Sequence, residues 1–153
     1  MITGKELGSK LFSKMILSGA VIKMSHRDLT SSAPHFFVVL DVDKTTDEAI
    51  LMCVTTSQID KVRRRIEGIQ ASNKTCVFLD ALDCPVLRKD CVIDCNEVFT
   101  ISLKEYQTSR IDMQEVKTKK IVRESSINPD KLKAVLYGVS VSRKVKSKYK
   151  KRL

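Results

Sequence analysis

The stretch of this chain best equipped for chemistry is CVTTSQ, Cys53–Gln58, where the hydroxyls of Thr55, Thr56 and Ser57 follow a run of apolar residues. The run belongs in a core, so its end should surface at a strand edge with its hydroxyls facing solvent. Hydroxyls placed there can donate hydrogen bonds to an anion or to a developing oxyanion. The same residues also describe an ordinary strand end closed by a Ser/Thr turn. His26 and His35 add two imidazoles, side chains that can bind a metal or move a proton. With no third ligand at useful spacing, each reads as a loop or hydrogen-bonded structural histidine.

Five cysteines, Cys53, Cys76, Cys84, Cys91 and Cys95, are present. Their number is odd and no C-x-x-C occurs, so neither a disulfide framework nor a structural zinc module is expected. Cys53 and Cys76 lie inside apolar runs, and Cys91, Ile93 and Cys95 share one face of CVIDC, a packing pattern. No G-x-S-x-G, phosphate-binding glycine loop, H-E-x-x-H or deaminase signature occurs.

The 153 residues carry 28 Lys and Arg against 18 Asp and Glu, a net charge of +10. Arg143, Lys144, Lys146, Lys148, Lys150, Lys151 and Arg152 crowd the last eleven residues without an acid among them, leaving +3 for the rest. Like charges at this density favour a solvated tail, or one that orders on an anionic partner. A solubility tail and a nucleic-acid contact are both open readings; dense phosphate rewards such a run through counterion release. Val145 and Tyr149 are too few for an amphipathic membrane helix, and no apolar stretch approaches the ~20 residues that span a bilayer. The N-terminus has no unbroken apolar segment, so no secretory leader is expected. The expectation is a soluble, basic, cytoplasmic chain that contacts no membrane.

These groups must be positioned by short elements. Leu7, Leu11, Met15 and Ile16, with Thr3 and Glu6 as a capping pair, predict a helix over 4–17 ended near Gly19. Ala20–Met24 is a short apolar run and Ser25–Pro34 a polar loop. Phe36–Val42 and Ala49–Thr56, joined across Asp43–Asp47, read as a β-hairpin. Gln58–Ile69 reads as a short helix or a long basic loop, with Lys61, Arg63, Arg64 and Arg65 on its surface. Ser72–Lys74 is a turn, and Thr75–Leu79, Val86–Leu87 and Cys91–Cys95 are strand candidates. Ser102 and Glu105 permit a helix over 103–109, and residues 110–124 fit neither period. Asn128 with Pro129 is a strong helix start. The pattern implies a mainly β protein with flanking helices (α+β), its sheet small and strongly bent or closed into a barrel.

The order SGAVIK, polar loop, APHFFVVLDVD, AILMCVTTSQ, CVFLD resembles the PemK/MazF family of toxin–antitoxin endoribonucleases over about residues 18–96. The resemblance implies a small SH3-like barrel over residues 19–141 with its closing helix, preceded by an N-terminal helix over 1–18 and followed by a basic C-terminal tail over 142–153. By position, Thr56 and Ser57 match the family's active-site Thr-Ser, Pro34 its proline, and Asp80 an acidic position used by some members. Two family arginines are missing: Ala33 stands before the proline and Phe78 two residues before the acid. Arg27 and His35 are the nearest replacements.

The implied activity is RNA cleavage without a metal or other cofactor, the ribose 2′-OH attacking its neighbouring phosphorus. In this scheme His35 acts as base or acid, Arg27 as the cation on the phosphate, and Thr56 and Ser57 as donors to the phosphorane, with Asp80 orienting a partner. Lys61, Arg63, Arg64 and Arg65, with Arg143, Lys144, Lys146 and Lys148, would hold the RNA backbone. The implied partners are RNA, an antitoxin protein or RNA, and a second copy of the chain. The rival reading keeps the barrel without catalysis, binding RNA, ribosome or DNA through the same basic segments.

Overall fold

A computed structural model describes residues 17–30, 33–106 and 122–153. The helix expected over 4–17 lies outside these residues apart from Leu17. The fold is mixed α+β, built on one antiparallel sheet. Its strands are β1 (Ala20–Met24), β2 (His35–Val42), β3 (Ile50–Thr56), β4 (Cys76–Leu79), β5 (Cys91–Asp94), β6 (Phe99–Ile101) and β7 (Val122–Ser126). Six follow the order β4-β5-β3-β2-β1-β7, and β6 pairs with β3 beside this path. The two ends of the path, β4 and β7, do not pair, so the sheet is open. The segment leaving β7 nevertheless returns to the loop after β4, where the Asn128 amide donates to the Asp83 carbonyl at 2.8 Å.

β2 and β3 are apolar on both sides because both faces of the sheet are covered. On one face Val21, Val38, Leu40, Leu51, Cys53 and Ile93 pack against the helix α2 (Pro129–Val141) through Val135 and Val139. On the other, Ile22, Phe37, Val39, Ile50 and Met52 pack with Phe99, Ile101 and Tyr106. The turn between β2 and β3 is closed by Asp43, whose Oδ1 accepts from the Thr45 amide at 3.0 Å and the Thr45 hydroxyl at 2.6 Å. Gly19, at φ +91°, makes the turn into β1, a backbone angle that suits a residue without Cβ.

The basic segment after β3 is the helix α1 (Ile59–Gly68), not a loop. Val62 and Ile66, one turn apart, bury against Val92 of β5, and that burial offsets the mutual repulsion of its cations. α2 starts as its sequence predicts, with Asn128 Oδ1 accepting from the Asp130 amide at 2.9 Å and Pro129 at the first position. Residues 103–106 are helical, with Ser102 Oγ accepting from the Glu105 amide at 3.0 Å; the rest of the helix expected to 109 lies outside the described residues. Val86–Leu87 is not a strand: Pro85–Leu87 forms one 3-10 turn, since two apolar residues after a proline give no ladder to extend. β6 carried no sequence signal, and β7 emerges from the end of the ambiguous stretch.

The largest correction concerns the C-terminus. Residues 142–153 fold back onto the sheet instead of forming a solvated tail. Val145 is buried, and the one-turn helix α3 (Ser147–Lys150) sets Tyr149 against the same core face. Arg152 donates to Asp41 Oδ2 at 2.8 Å and to the carbonyls of Glu48 at 2.6 Å and Ala49 at 3.0 Å. Glu48 accepts from Lys148 Nζ at 2.9 Å, from Thr100 Oγ1 at 3.2 Å and from the Tyr149 hydroxyl. The run has no acid of its own, but its acids lie about a hundred residues earlier, at and just before the β2–β3 turn. Among the described residues no helix is long and apolar enough to cross a membrane.

Candidate functional site

The ends of β1, β3 and β4 and the starts of β2 and β5 lie at one end of the sheet, as their antiparallel pairing requires. Thr56 sits there, opposite Val92. The β2–β3 register runs as far as Phe37 opposite Val54, and His35 begins β2 two residues beyond that pair, at the same sheet end. Thr55 points to the face opposite that of Thr56, buried, its hydroxyl donating to the Phe36 carbonyl at 3.1 Å. That bond makes Thr55 a structural residue and leaves Thr56 and Ser57 at the surface. Thr56 Oγ1 accepts from the Gln58 amide at 3.2 Å, the Ser/Thr turn that sequence allowed. This uses a lone pair; the hydroxyl hydrogen has no partner among the described residues and can be donated.

α1 begins directly after this turn. Ser57, Gln58, Ile59, Asp60, Lys61 and Arg64 line an open depression of about 530 Å³. The four cations expected to bind a backbone separate on α1. Arg63 lies over the Phe78 ring, 4.7 Å from its centre. Arg65 pairs with the buried Asp94 at 3.0 Å and with Glu97 at 3.7 Å. Lys61 and Arg64 face the depression, and Arg64 Nε donates to the Asp60 carbonyl at 3.4 Å.

The remaining site candidates are placed differently. Arg27 is paired with Glu105 at 2.5 Å, in the turn after β6, whose last residue pairs with the first of β3. It is drawn toward the far end of β3 from Thr56. The cause is its neighbour His26, which is buried against Phe37 and Phe99 and bonds the Thr100 carbonyl through Nε2 at 2.9 Å. His26 Nδ1 accepts from the Asp28 amide at 3.1 Å, so His26 is the hydrogen-bonded structural histidine of the two. Asp80 is at the same sheet end as Thr56, but its Oδ1 accepts from the amides of Leu82 at 2.8 Å and Asp83 at 3.0 Å. That carboxylate holds its own turn. His35 is half-buried at the start of β2, and its Nε2 is buried with no hydrogen-bond partner among the described residues.

Arg143, Lys144 and Lys146 are exposed, whereas Lys148 is held by Glu48. They lie at the β2–β3 turn end of the molecule, away from Thr56. The hydrogen bonds from Tyr149 and Lys148 bring the Glu48 carboxyl down to about 2, and the same contact raises Lys148.

A buried polar cluster that sequence did not reveal ties the elements behind the site together. Asn96 Nδ2 donates to Thr75 Oγ1 and Asp94 Oδ1, both at 2.9 Å, and Asn96 Oδ1 accepts from Ser142 Oγ at 2.7 Å. With Arg65 on Asp94, this joins α1, β5 and the end of α2. None of the five cysteines forms a disulfide among the described residues; Cys53, Cys84, Cys91 and Cys95 are buried and Cys76 half-buried. Burial pushes Cys53 well up and Cys95 up to about 12, so these thiols are poor nucleophiles. Among the described residues no three His, Cys, Asp or Glu side chains converge as a metal-ligand set.

No protein-family model matches the chain, and no curated protein matches it.

Proposed function

We propose that the chain is a PemK/MazF-like endoribonuclease, its bent sheet an SH3-like barrel of that type, and that Thr56 and Ser57 stand at the scissile phosphate. The observation that carries the reading is the Thr56 hydroxyl, free to donate at a strand end whose next residue, Ser57, opens a depression lined by Lys61 and Arg64. The reaction is transesterification: the 2′-OH attacks phosphorus, the bond to the 5′-oxygen breaks, and a 2′,3′-cyclic phosphate and a free 5′-hydroxyl result. His35 takes the 2′-OH proton or supplies one to the leaving oxygen, and Thr56 and Ser57 donate to the charged phosphorane. In this reading the partners are single-stranded RNA, an antitoxin protein or RNA, and a second copy of the chain.

The test is a long RNA incubated with the protein in EDTA. Fragments ending in 2′,3′-cyclic phosphate are expected, and Thr56→Ala should slow their formation by ~10²–10³, the usual cost of one oxyanion donor. A second reading is favoured by Arg27 and Asp80, both engaged elsewhere: the same fold binding RNA, ribosome or DNA without cutting it. RNA that is bound yet stays intact across a range of sequences would decide for that one.

A further inference from the structure

We infer that Arg64, supported by Lys61, is the cation that meets the RNA phosphate at the Thr56–Ser57 turn, in the place first expected of Arg27. This rests on the RNA-cleaving reading of the site and deepens it. A phosphodiester binding beside Ser57 needs a cation that is close, outward and not held by an acid. The hydrogen bond of Arg64 is a long one, from Nε to the Asp60 carbonyl at 3.4 Å. Arg27 is bound to Glu105, Arg63 covers Phe78, and Arg65 neutralises the buried Asp94. Removing Arg65 would leave a buried carboxylate unpaired, a costly change. Arg64 and Lys61, three positions apart on α1, lie on one helix face and line the depression that Ser57 opens. The guanidinium of Arg64 offers a planar fork suited to two phosphate oxygens. Asp60 lines the same depression and opposes an anion, so the local balance is two positive charges against one negative.

The test uses the full chain with two RNAs, a cleavable strand and a 2′-O-methyl strand of the same sequence that cannot be cut. Arg64→Gln should lower the cleavage rate by ~10²-fold and weaken binding of the uncuttable strand about tenfold, with a log–log salt slope shallower by about 0.7. Arg64→Lys should restore part of both, and Asp60→Asn should tighten binding a few-fold. Lys133→Gln, an exposed cation on α2, controls for the loss of one charge, and each variant is melted to confirm that the fold is intact. If Arg64→Gln cleaves and binds within twofold of the parent, or if Arg27→Gln does the greater damage, the inference is overturned. Should the parent cut no RNA, the cleavage reading falls alone and the uncuttable strand still decides for Arg64. Should it neither cut nor bind, both fall.

Discussion

Thr56 can be offered to a ligand because Thr55 is not. Alternation along β3 sends one hydroxyl into the core, where a carbonyl takes it, and brings the next to the surface. Sequence placed three hydroxyls at a strand end and left their division open, because which face was buried depends on strands it did not reveal. Gly138 shows a different local constraint. It sits inside α2, where glycine costs about 1 kcal/mol against alanine. A Cβ there would lie 2.6 Å from the Lys74 carbonyl oxygen and 2.8 Å from Cys95 Sγ. Gly138→Ala should therefore destabilise the protein by about 1–3 kcal/mol through overpacking, despite its better helix propensity. Denaturant unfolding checks this; a gain in stability would mean that α2 can move away from the short helical turn Asn73–Thr75 that carries Lys74.

At the scale of elements, those with a boundary signal were legible and those held by distant partners were not. Phe36–Val42 and Ala49–Thr56 read correctly as a hairpin because apolar runs flank an Asp-led turn. α2 was readable from Asn128 and Pro129. α1 was ambiguous because only Val62 and Ile66 anchor it, and their partner Val92 lies across the sheet. β6, three residues long, is too short to carry a period. The contact between α3 and the β2–β3 turn gives a pH signature. Hydrogen bonds from Tyr149 and Lys148 depress the Glu48 carboxyl from 4.5 to about 2. A depressed carboxylate stabilises fully above its unfolded value and loses that contribution as pH falls through its folded one. The side chain is about one-third exposed, so screening leaves on the order of 1 kcal/mol. Glu48→Gln should lower the melting temperature by roughly 2–4 °C at pH 7, and the gap should close on acidification from pH 4.5 toward 2. A gap that ignores pH would show that packing, not charge, holds α3.

For the whole molecule, net charge misled where charge placement did not. Counted along the chain, the last eleven residues are a repelling run; in space, Lys148 and Arg152 meet Glu48 and Asp41, and Val145 enters the core. Truncation after Ser142 should therefore cost about 3 kcal/mol, from a buried valine, a partly buried tyrosine and two ion pairs. That is roughly 6–12 °C in melting temperature, measured by thermal circular dichroism. An unchanged melt would return the segment to the status of a solvated appendage. The α+β class, a mainly antiparallel sheet with flanking helices, was readable from composition and patterning. The cations that face the Thr56 turn were not, since four neighbouring basic residues look alike until Phe78, Asp94 and open solvent sort them.

β1 lies between β2 and β7, and its pairing of Ala20 with Ser126 joins residues more than a hundred positions apart. Closing a loop of that length costs about 4 kcal/mol in chain entropy before any contact repays it. The β2–β3 hairpin can assemble locally and early, whereas β1 cannot gain its second neighbour until the late part of the chain arrives. Refolding is then governed by one rare long-range encounter, which places this protein among the slow folders of its size.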